Sequence, residues 1–200
     1  AKIVAGSSLE FVACICNSCA STLSSTSESE PVFTCRKSDR NKSIFSCSVL
    51  VRLPLCPSAM CPVAVERKVG WAFCHTLVEL ATAIKPFALR NILGRPDCAA
   101  AIYLDPDIVV FSPLDEIVEA LKHDDILLTP HQTSPEVGVR GIVENEICTM
   151  QHGIYNLGFI GVAARDQGFA FAEYWADRLY RFGRDDIPNG IYTDQRWIDF

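Results

Sequence analysis

The chain has 200 residues, 49% of them hydrophobic and 21% charged, which suits one globular domain, or one domain and part of another. Its formal net charge of −6 gives no electrostatic basis for binding nucleic acid or an anionic membrane. No apolar run approaches the roughly 18 residues that a transmembrane helix needs, and nothing at the amino terminus resembles a secretory signal. We therefore expect a cytoplasmic protein with no transmembrane segment and no nucleic-acid partner.

The first 65 residues lack the hydrophobic periodicity of a folded domain. Residues 2–6 are typical of a short strand, but residues 18–30 are rich in serine and threonine, and prolines interrupt residues 52–64. This composition predicts an irregular or disordered extension over residues 1–65, with the short strand as the remnant of a first β-α unit. Translation from a shifted reading frame would remove the periodicity in the same way, and we leave that alternative open.

Seven of the ten cysteines lie in this first region. Cys14, Cys16 and Cys19 are close enough in sequence to bind one metal ion, but the second cysteine pair of a zinc finger is missing at the spacing such sites use. A structural zinc site there is the less favoured alternative, and we assign no function to residues 1–65.

Regular elements are predicted from Trp71 onward. Apolar side chains recur at helical spacing over residues 71–84, and Lys85 precedes a proline, which disfavours continuation of that helix. Pro86 suits the first position of a second helix over residues 86–93, with Gly94 as its stop. Lys85 then lies at a helix start, either as a contact to phosphate or as a solvated surface lysine, and the spacing alone favours the solvated lysine.

Two acids follow the most apolar stretch of the chain. Residues 99–104 form an uninterrupted apolar run, which predicts a strand of a parallel sheet buried on both faces. Asp105 and Asp107 come next, separated by the stiff Pro106, and a second short apolar run occupies residues 108–111. Two carboxylates at a strand end repel each other unless a cation joins them. Mg²⁺ and Mn²⁺ prefer such oxygen ligands and usually carry phosphate as well, so the pattern predicts a metal–diphosphate site.

The rest of the chain alternates predicted helices and strands. In order, we expect a helix capped by Ser112 with Pro113 at its first position, a strand over residues 125–130, a loop over residues 132–150, a strand over residues 155–162, and a helix whose apolar stripe contains Phe171, Trp175 and Leu179. Asn156 lies near the start of the second of these strands, where an amide can orient a sugar hydroxyl or satisfy local backbone. Residues 193–200 combine polar and aromatic side chains, which is more typical of a site wall than of a core element.

With these segments in this order, the chain resembles a GT-A glycosyltransferase of the bacterial group similar to the glycogenin and galactosyltransferase-like families. The matching segments are residues 82–89, 103–110, 153–159 and 193–197, and the resemblance covers about residues 70–200. It implies an α/β fold with a mainly parallel central sheet flanked by helices, over residues 66–200. It also implies that a nucleotide-sugar donor binds through Mn²⁺ or Mg²⁺ to Asp105 and Asp107, and that the anomeric configuration is retained.

The same resemblance gives expectations for four other residues. Lys85 would lie near the nucleotide or its phosphate, and Asn156 would lie near the donor sugar or the acceptor. Asp194 and Gln195 would face the donor sugar beside the reacting carbon. The acceptor would be a sugar, a lipid or a protein.

The chain also departs from these families, and other functions are compatible with its acids. Similar enzymes take a third metal ligand, commonly a histidine, from a later segment, so we expect a fragment that lacks the carboxyl-terminal part and is inactive by itself. A haloacid-dehalogenase-like phosphatase also uses two aspartates after a buried strand, but continues into Gly-Thr, whereas Asp107 precedes Ile108 here. A degenerate, non-catalytic domain is the third alternative.

Overall fold

The computed structural model describes residues 11–16, 48–52, 70–105, 107–108 and 110–200. The chain divides into two compact units. Unit 1 consists of Ala1–Cys56, Asn91–Leu127 and Gly158–Phe169. Unit 2 consists of Pro57–Arg90, Leu128–Leu157 and Ala170–Phe200.

Helices and strands alternate along most of the described chain. The strands are β1 (Phe11–Cys16), β2 (Ser48–Arg52), β3 (Cys98–Leu104), β4 (Ile126–Pro130), β5 (Tyr155–Ala163), β6 (Asp185–Asp186) and β7 (Ile191–Tyr192). The α-helices that lie wholly within the described residues are α1 (Leu77–Ala83), α2 (Lys85–Leu93), α3 (Asp115–Ala120), α4 (Val139–Gly141), α5 (Cys148–His152) and α6 (Asp166–Phe182), and residues 70–73 are helical as well. A π-helical segment (Ile142–Ile147) joins α4 to α5, and short 3₁₀ turns occupy Ile187–Asn189 and Arg196–Ile198.

The larger sheet has five strands in the order β2-β1-β3-β5-β4, which confirms a mixed α/β fold. We expected parallel neighbours for β3, but it pairs antiparallel with both β1 and β5. The pairing of β1 with β2 is antiparallel as well, so a mainly parallel sheet is not shown. The prediction used the apolar character of both faces of β3. That character reports burial and carries no information on the direction of the neighbouring strands.

The core of unit 1 forms around β3. Six of its seven residues are buried, and Ala100, Ile102 and Leu104 belong to one buried cluster with Leu121. Partly buried side chains complete the cluster: Ile108, Val110, Leu114, Ile117, Val118, Leu127 and Phe159. The predicted strand at residues 99–104 is confirmed, with one added residue at its start.

Helix α3 begins later than its sequence predicted. We expected Ser112 as the cap and Pro113 as the first helical residue, but the helix begins at Asp115 with Leu114 in the cap position. Leu114 packs against the unit 1 cluster. Burial of that side chain therefore outweighs the local capping preference of the serine. The acids expected in the first turn, Asp115 and Glu116, are there.

The core of unit 2 includes the apolar stripe predicted for the long helix α6. Trp175 and Leu179 are completely buried, and Phe171 stacks on Trp175 with ring centroids 5.8 Å apart. The helix ends before Gly183, where a Cβ atom would lie only 2.9 Å from the Cβ of Ala83. Glycine at this position therefore permits the close approach of the ends of α1 and α6.

Residues 132–150 are largely helical, so the predicted loop is wrong. Helix α4, the π-helical segment and α5 follow one another over Val139–His152. The apolar side chains of this stretch are mostly exposed: Val139, Val143, Ile147 and Met150. Because no core burial selects an apolar face here, the segment lacks the clear hydrophobic stripe on which helix prediction depends.

Two strands, β1 and β2, lie within residues 1–65, where we expected an irregular extension. Strand β1 is a run of six apolar residues, which is compatible with an interior strand as well as with the irregular segment we expected. The strand expected at residues 2–6 and the cysteine Cys19 lie outside the described residues, and so does most of the expected extension.

Candidate functional site

Asp105 is fixed at the carboxyl end of β3. Its backbone N–H donates to the carbonyl oxygen of Gly158 at 2.8 Å, which extends the antiparallel pairing of β3 and β5 by one residue. Its side chain is bonded as well, because the Tyr103 hydroxyl donates to Oδ1 at 2.5 Å. Tyr103 is 2% exposed, and Asp105 is partly buried. Asp105 is therefore held in place by one hydrogen bond to its backbone and one to its carboxylate.

Asp107 lies on the exposed side of the same turn. The turn is closed by the Ile108 N–H, which donates to the carbonyl oxygen of Asp105 at 3.0 Å. The short apolar run after the acids does not form a strand at residues 107, 108, 110 and 111. Ile108 and Val110 instead pack against the unit 1 cluster, which explains the apolar run without a strand. Pro106 lies outside the described residues.

The donor set of this turn fits a hard divalent cation. Two carboxylates are the usual protein contribution to a Mg²⁺ or Mn²⁺ site that also binds a phosphorylated substrate. Within the described ranges, no cluster of three or more histidine, cysteine, aspartate or glutamate side chains is arranged to hold a metal. Asp105 and Asp107 would therefore hold an ion together with ligand oxygens, and would not form a closed protein cage.

Lys85 and Asp194 form a buried ion pair in unit 2. The Lys85 Nζ atom lies 3.0 Å from Asp194 Oδ2, and the two side chains are only 8% and 4% exposed. The other carboxylate oxygen accepts a hydrogen bond from the Thr193 hydroxyl at 3.0 Å. The Asp194 carbonyl oxygen accepts from Trp175 Nε1 at 3.2 Å. Lys85 is therefore not the solvated lysine that its spacing favoured.

The backbone beside Asp194 is strained. Thr193 has a φ of +37°, a region that β-branched residues rarely occupy. Its N–H donates to the Arg184 carbonyl oxygen at 3.0 Å, and its hydroxyl is bonded to Asp194. Such conformations cost about 1–3 kcal/mol and persist where the surrounding contacts over-determine them, which is frequent at functional sites.

Gln195 is held against the end of α5. Its side-chain Nε2 donates to the His152 carbonyl oxygen at 3.1 Å. The next residue along that loop, Gly153, has a φ of +119°, and a Cβ atom there would lie 2.9 Å from the Cβ of Gln195. The close approach that orients Gln195 thus requires a glycine at position 153.

The six predicted site residues lie in different parts of the structure. Asp105 and Asp107 share one turn of unit 1, and Lys85 and Asp194 are in direct contact within unit 2. Asn156 is exposed near the start of β5. Tyr103 and Thr193 are the residues that our sequence reasoning missed. The period of two along a strand could have indicated Tyr103, because it places residues 103 and 105 on the same face.

Comparisons with known proteins show no family for this chain. No protein-family model matches it, and no solved structure gives a significant match. The chain is 24% identical over 125 residues, or 61% of its length, to a protein of Bacillus subtilis (strain 168) called "Uncharacterized protein YfnF". The match spans 40% of that relative. In the part of the chain that the structure describes, none of the helices has the length and apolar character needed to cross a membrane.

Proposed function

We propose that this chain is part of a metal-dependent glycosyltransferase that moves a sugar from a nucleotide-sugar donor to a sugar, lipid or protein acceptor. The observation that carries the proposal is the acidic turn, where Asp105 is fixed at the end of a buried central strand and Asp107 is exposed two residues later. A turn of this kind can present two carboxylates to a cation that is shared with a diphosphate.

Asp105 and Asp107 would hold Mn²⁺ or Mg²⁺, which acts as a Lewis acid and offsets the charge that develops on the departing nucleoside diphosphate. In this role the chain itself supplies two carboxylates from one turn. Asp105 needs no rearrangement to act as a ligand, because its backbone and carboxylate are already bonded. Asp107, which is exposed, can adjust to the bound donor.

The buried ion pair supports a modified role for Lys85. The resemblance gave Lys85 a contact to nucleotide or phosphate, whereas its ammonium group lies against Asp194. We assign Lys85 the task of holding the Asp194 carboxylate in place. Asp194 and Gln195 would then orient donor-sugar hydroxyls beside the reacting carbon. The role of Asn156 in contacting the donor sugar or the acceptor, and retention of anomeric configuration, follow from the resemblance alone.

The GT-A fold class belongs to this proposal too. The antiparallel neighbours of β3 do not support a mainly parallel sheet. The position of the acids does support the class, because they follow a strand that is buried in the centre of a five-stranded sheet.

Calorimetric titration with nucleoside diphosphates, with and without Mn²⁺, tests the proposal. We expect binding that requires Mn²⁺ and is lost in Asp105→Asn and in Asp107→Asn. Asp124→Asn is the matched control. Asp124 is also an exposed aspartate of unit 1, but it comes after helix α3 and not after strand β3. Binding that survives in both site variants, or that does not need the metal, would contradict the proposal.

A generic phosphomonoester substrate separates this function from the phosphatase alternative. A haloacid-dehalogenase-like enzyme would use Asp105 as a nucleophile and hydrolyse such a substrate with Mg²⁺. The glycosyltransferase proposal predicts no hydrolysis above the level of the Asp105→Asn variant. A non-catalytic domain would show neither this hydrolysis nor metal-dependent binding of a nucleoside diphosphate.

A further inference from the structure

We infer that Tyr103 is a positioning residue for metal binding, which acts by fixing the carboxylate of Asp105. This inference rests on the proposed function, because it concerns one of the two proposed metal ligands. The hydroxyl of Tyr103 donates to Asp105 Oδ1 at 2.5 Å, which is within the 2.5–2.7 Å typical of a hydroxyl bound to a carboxylate.

The strand geometry makes this contact a fixed feature of the turn. Residues 103 and 105 are two positions apart, so their side chains leave the strand on the same face. The backbone of Asp105 cannot swing away from β3, since its N–H is bonded to Gly158 on the neighbouring strand. The relative position of the hydroxyl and the carboxylate is therefore set by the sheet.

Burial strengthens the contact. Tyr103 is 2% exposed, although its phenolic oxygen needs a hydrogen-bond partner when buried. Asp105 supplies that partner from the edge of the core, where competition from water is reduced. The ring is thus held by packing and the hydroxyl by Asp105, and together they restrict the rotation of the carboxylate.

This hydrogen bond is compatible with metal ligation by the same side chain. A carboxylate offers about four lone-pair positions, and one hydrogen bond uses one of them. Outer-shell partners of this kind orient the ligand that contacts the metal, and their removal typically costs about 10–100-fold in metal affinity. Asp107 is exposed, so the orienting effect of Tyr103 is expected through Asp105 alone.

The inference is tested by titration with Mn²⁺ alone. The electron paramagnetic resonance signal of the free aqueous ion reports how much Mn²⁺ stays unbound. We expect Tyr103→Phe to bind Mn²⁺ about tenfold more weakly than the unaltered chain, because phenylalanine keeps the ring and removes only the donor. Tyr174→Phe is the matched control. It removes a tyrosine hydroxyl that donates to the Trp197 carbonyl oxygen at 3.0 Å, and we expect no change in Mn²⁺ affinity.

The outcomes separate this inference from the proposed function. If the unaltered chain binds Mn²⁺, the Asp105→Asn variant does not, and Tyr103→Phe binds like the unaltered chain, only the inference fails. Equal weakening in Tyr103→Phe and Tyr174→Phe would also overturn it, since the effect would then be general. If the unaltered chain binds no Mn²⁺ alone but does bind a nucleoside diphosphate together with Mn²⁺, only the inference fails. If it binds neither, the metal-dependent function and the inference fail together.

A rescue variant keeps the inference testable if Tyr103→Phe does not fold. Replacement of Tyr103 by 4-aminophenylalanine retains the ring and a hydrogen-bond donor at the same place. We expect circular dichroism of a folded protein and an Mn²⁺ affinity within about threefold of the unaltered chain, which is below the tenfold loss that an outer-shell partner carries. A folded protein whose Mn²⁺ affinity falls tenfold would show that the donor at this position is not what orients Asp105.

Discussion

Lys85 and Asp194 carry opposite charges at a place in unit 2 that water hardly reaches. The desolvation of two such ions is costly, and their attraction offsets that cost only when the geometry is good and the remaining polar atoms are bonded. Here the ammonium lies 3.0 Å from one carboxylate oxygen and the Thr193 hydroxyl donates to the other. The two terms nearly cancel in such a pair, so its net stabilisation is small, but removal of either partner leaves the other charge buried and uncompensated.

Removal of one partner should accordingly be more damaging than removal of both. We expect Lys85→Met to lower the free energy of unfolding by about 3–5 kcal/mol, because Asp194 would stay buried without its counter-ion. The double variant Lys85→Met with Asp194→Leu should recover most of that loss. Urea denaturation measures both effects.

An exposed ion pair of the same unit supplies the control for these two variants. Arg90 and Glu173 lie 2.9 Å apart, but their side chains are 33% and 62% exposed. Glu173→Gln should therefore cost about 1 kcal/mol or less, since water screens the pair. If Lys85→Met costs no more than Glu173→Gln, the buried pair lacks the mutual dependence argued here.

At the scale of single residues, part of the candidate site could be predicted from the sequence. The place of Asp105 and Asp107 after a buried strand could be predicted, because a short apolar run followed by two acids is a local pattern. The contact of Lys85 with Asp194 could not, since it joins residues far apart in the chain and leaves no local signature. Spacing alone in fact favoured a solvated Lys85.

At the scale of elements, helix α1 shows how a helix end is stabilised. Thr76 caps the helix: its hydroxyl accepts a hydrogen bond from the Glu79 N–H, and its own N–H donates to the Glu79 carboxylate. Glu79 also accepts from the backbone N–H of Asp185 at 2.8 Å. These backbone bonds, first that of Asp185 and then that of Thr76, hold the pKa of the Glu79 carboxyl below its ordinary value of 4.5.

This lowered pKa predicts a pH-dependent contribution to stability. A carboxyl whose pKa is lower in the folded state stabilises the protein above its unfolded pKa, and the contribution is lost as the pH falls through the folded pKa. We expect Glu79→Gln to cost about 0.5–1 kcal/mol at pH 7, a modest value because the side chain is partly exposed to water. The gap should narrow as the pH falls below the ordinary value of 4.5 and through the lowered pKa of the folded state. Urea denaturation at pH 7 and pH 3.5 measures it, and a gap of undiminished size at the lower pH would contradict the assignment.

The elements that burial defines were predicted best from the sequence. Strands β3, β4 and β5 and helix α2 were predicted to within one residue at each end, and helix α6 was predicted from its apolar stripe. The segment over residues 139–152 was missed because its apolar side chains are mostly exposed, and α3 was misplaced because Leu114 is drawn into the core. The antiparallel direction of the strands beside β3 was missed, because β3 pairs with strands that are far away in sequence.

At the scale of the whole molecule, ligand binding should appear as increased thermal stability. A ligand that binds only the folded state stabilises it by about 2.7 kcal/mol at 100 times its dissociation constant. We therefore expect Mn²⁺ and a nucleoside diphosphate together to raise the Tm by several degrees, and neither alone to do so by as much. Differential scanning calorimetry measures the shift. The same shift in Asp105→Asn would show that the ligands bind elsewhere.

The buried ion pair also limits how this sequence can drift over generations. A single change at position 85 or 194 strands a charge in the core of unit 2, so most such changes would be removed by selection. Both residues can be replaced at once. Otherwise, the residue whose replacement by a neutral side chain destabilises the fold less must change first. Lineages that lose Asp194 should therefore lose Lys85 as well, so that the two substitutions appear together.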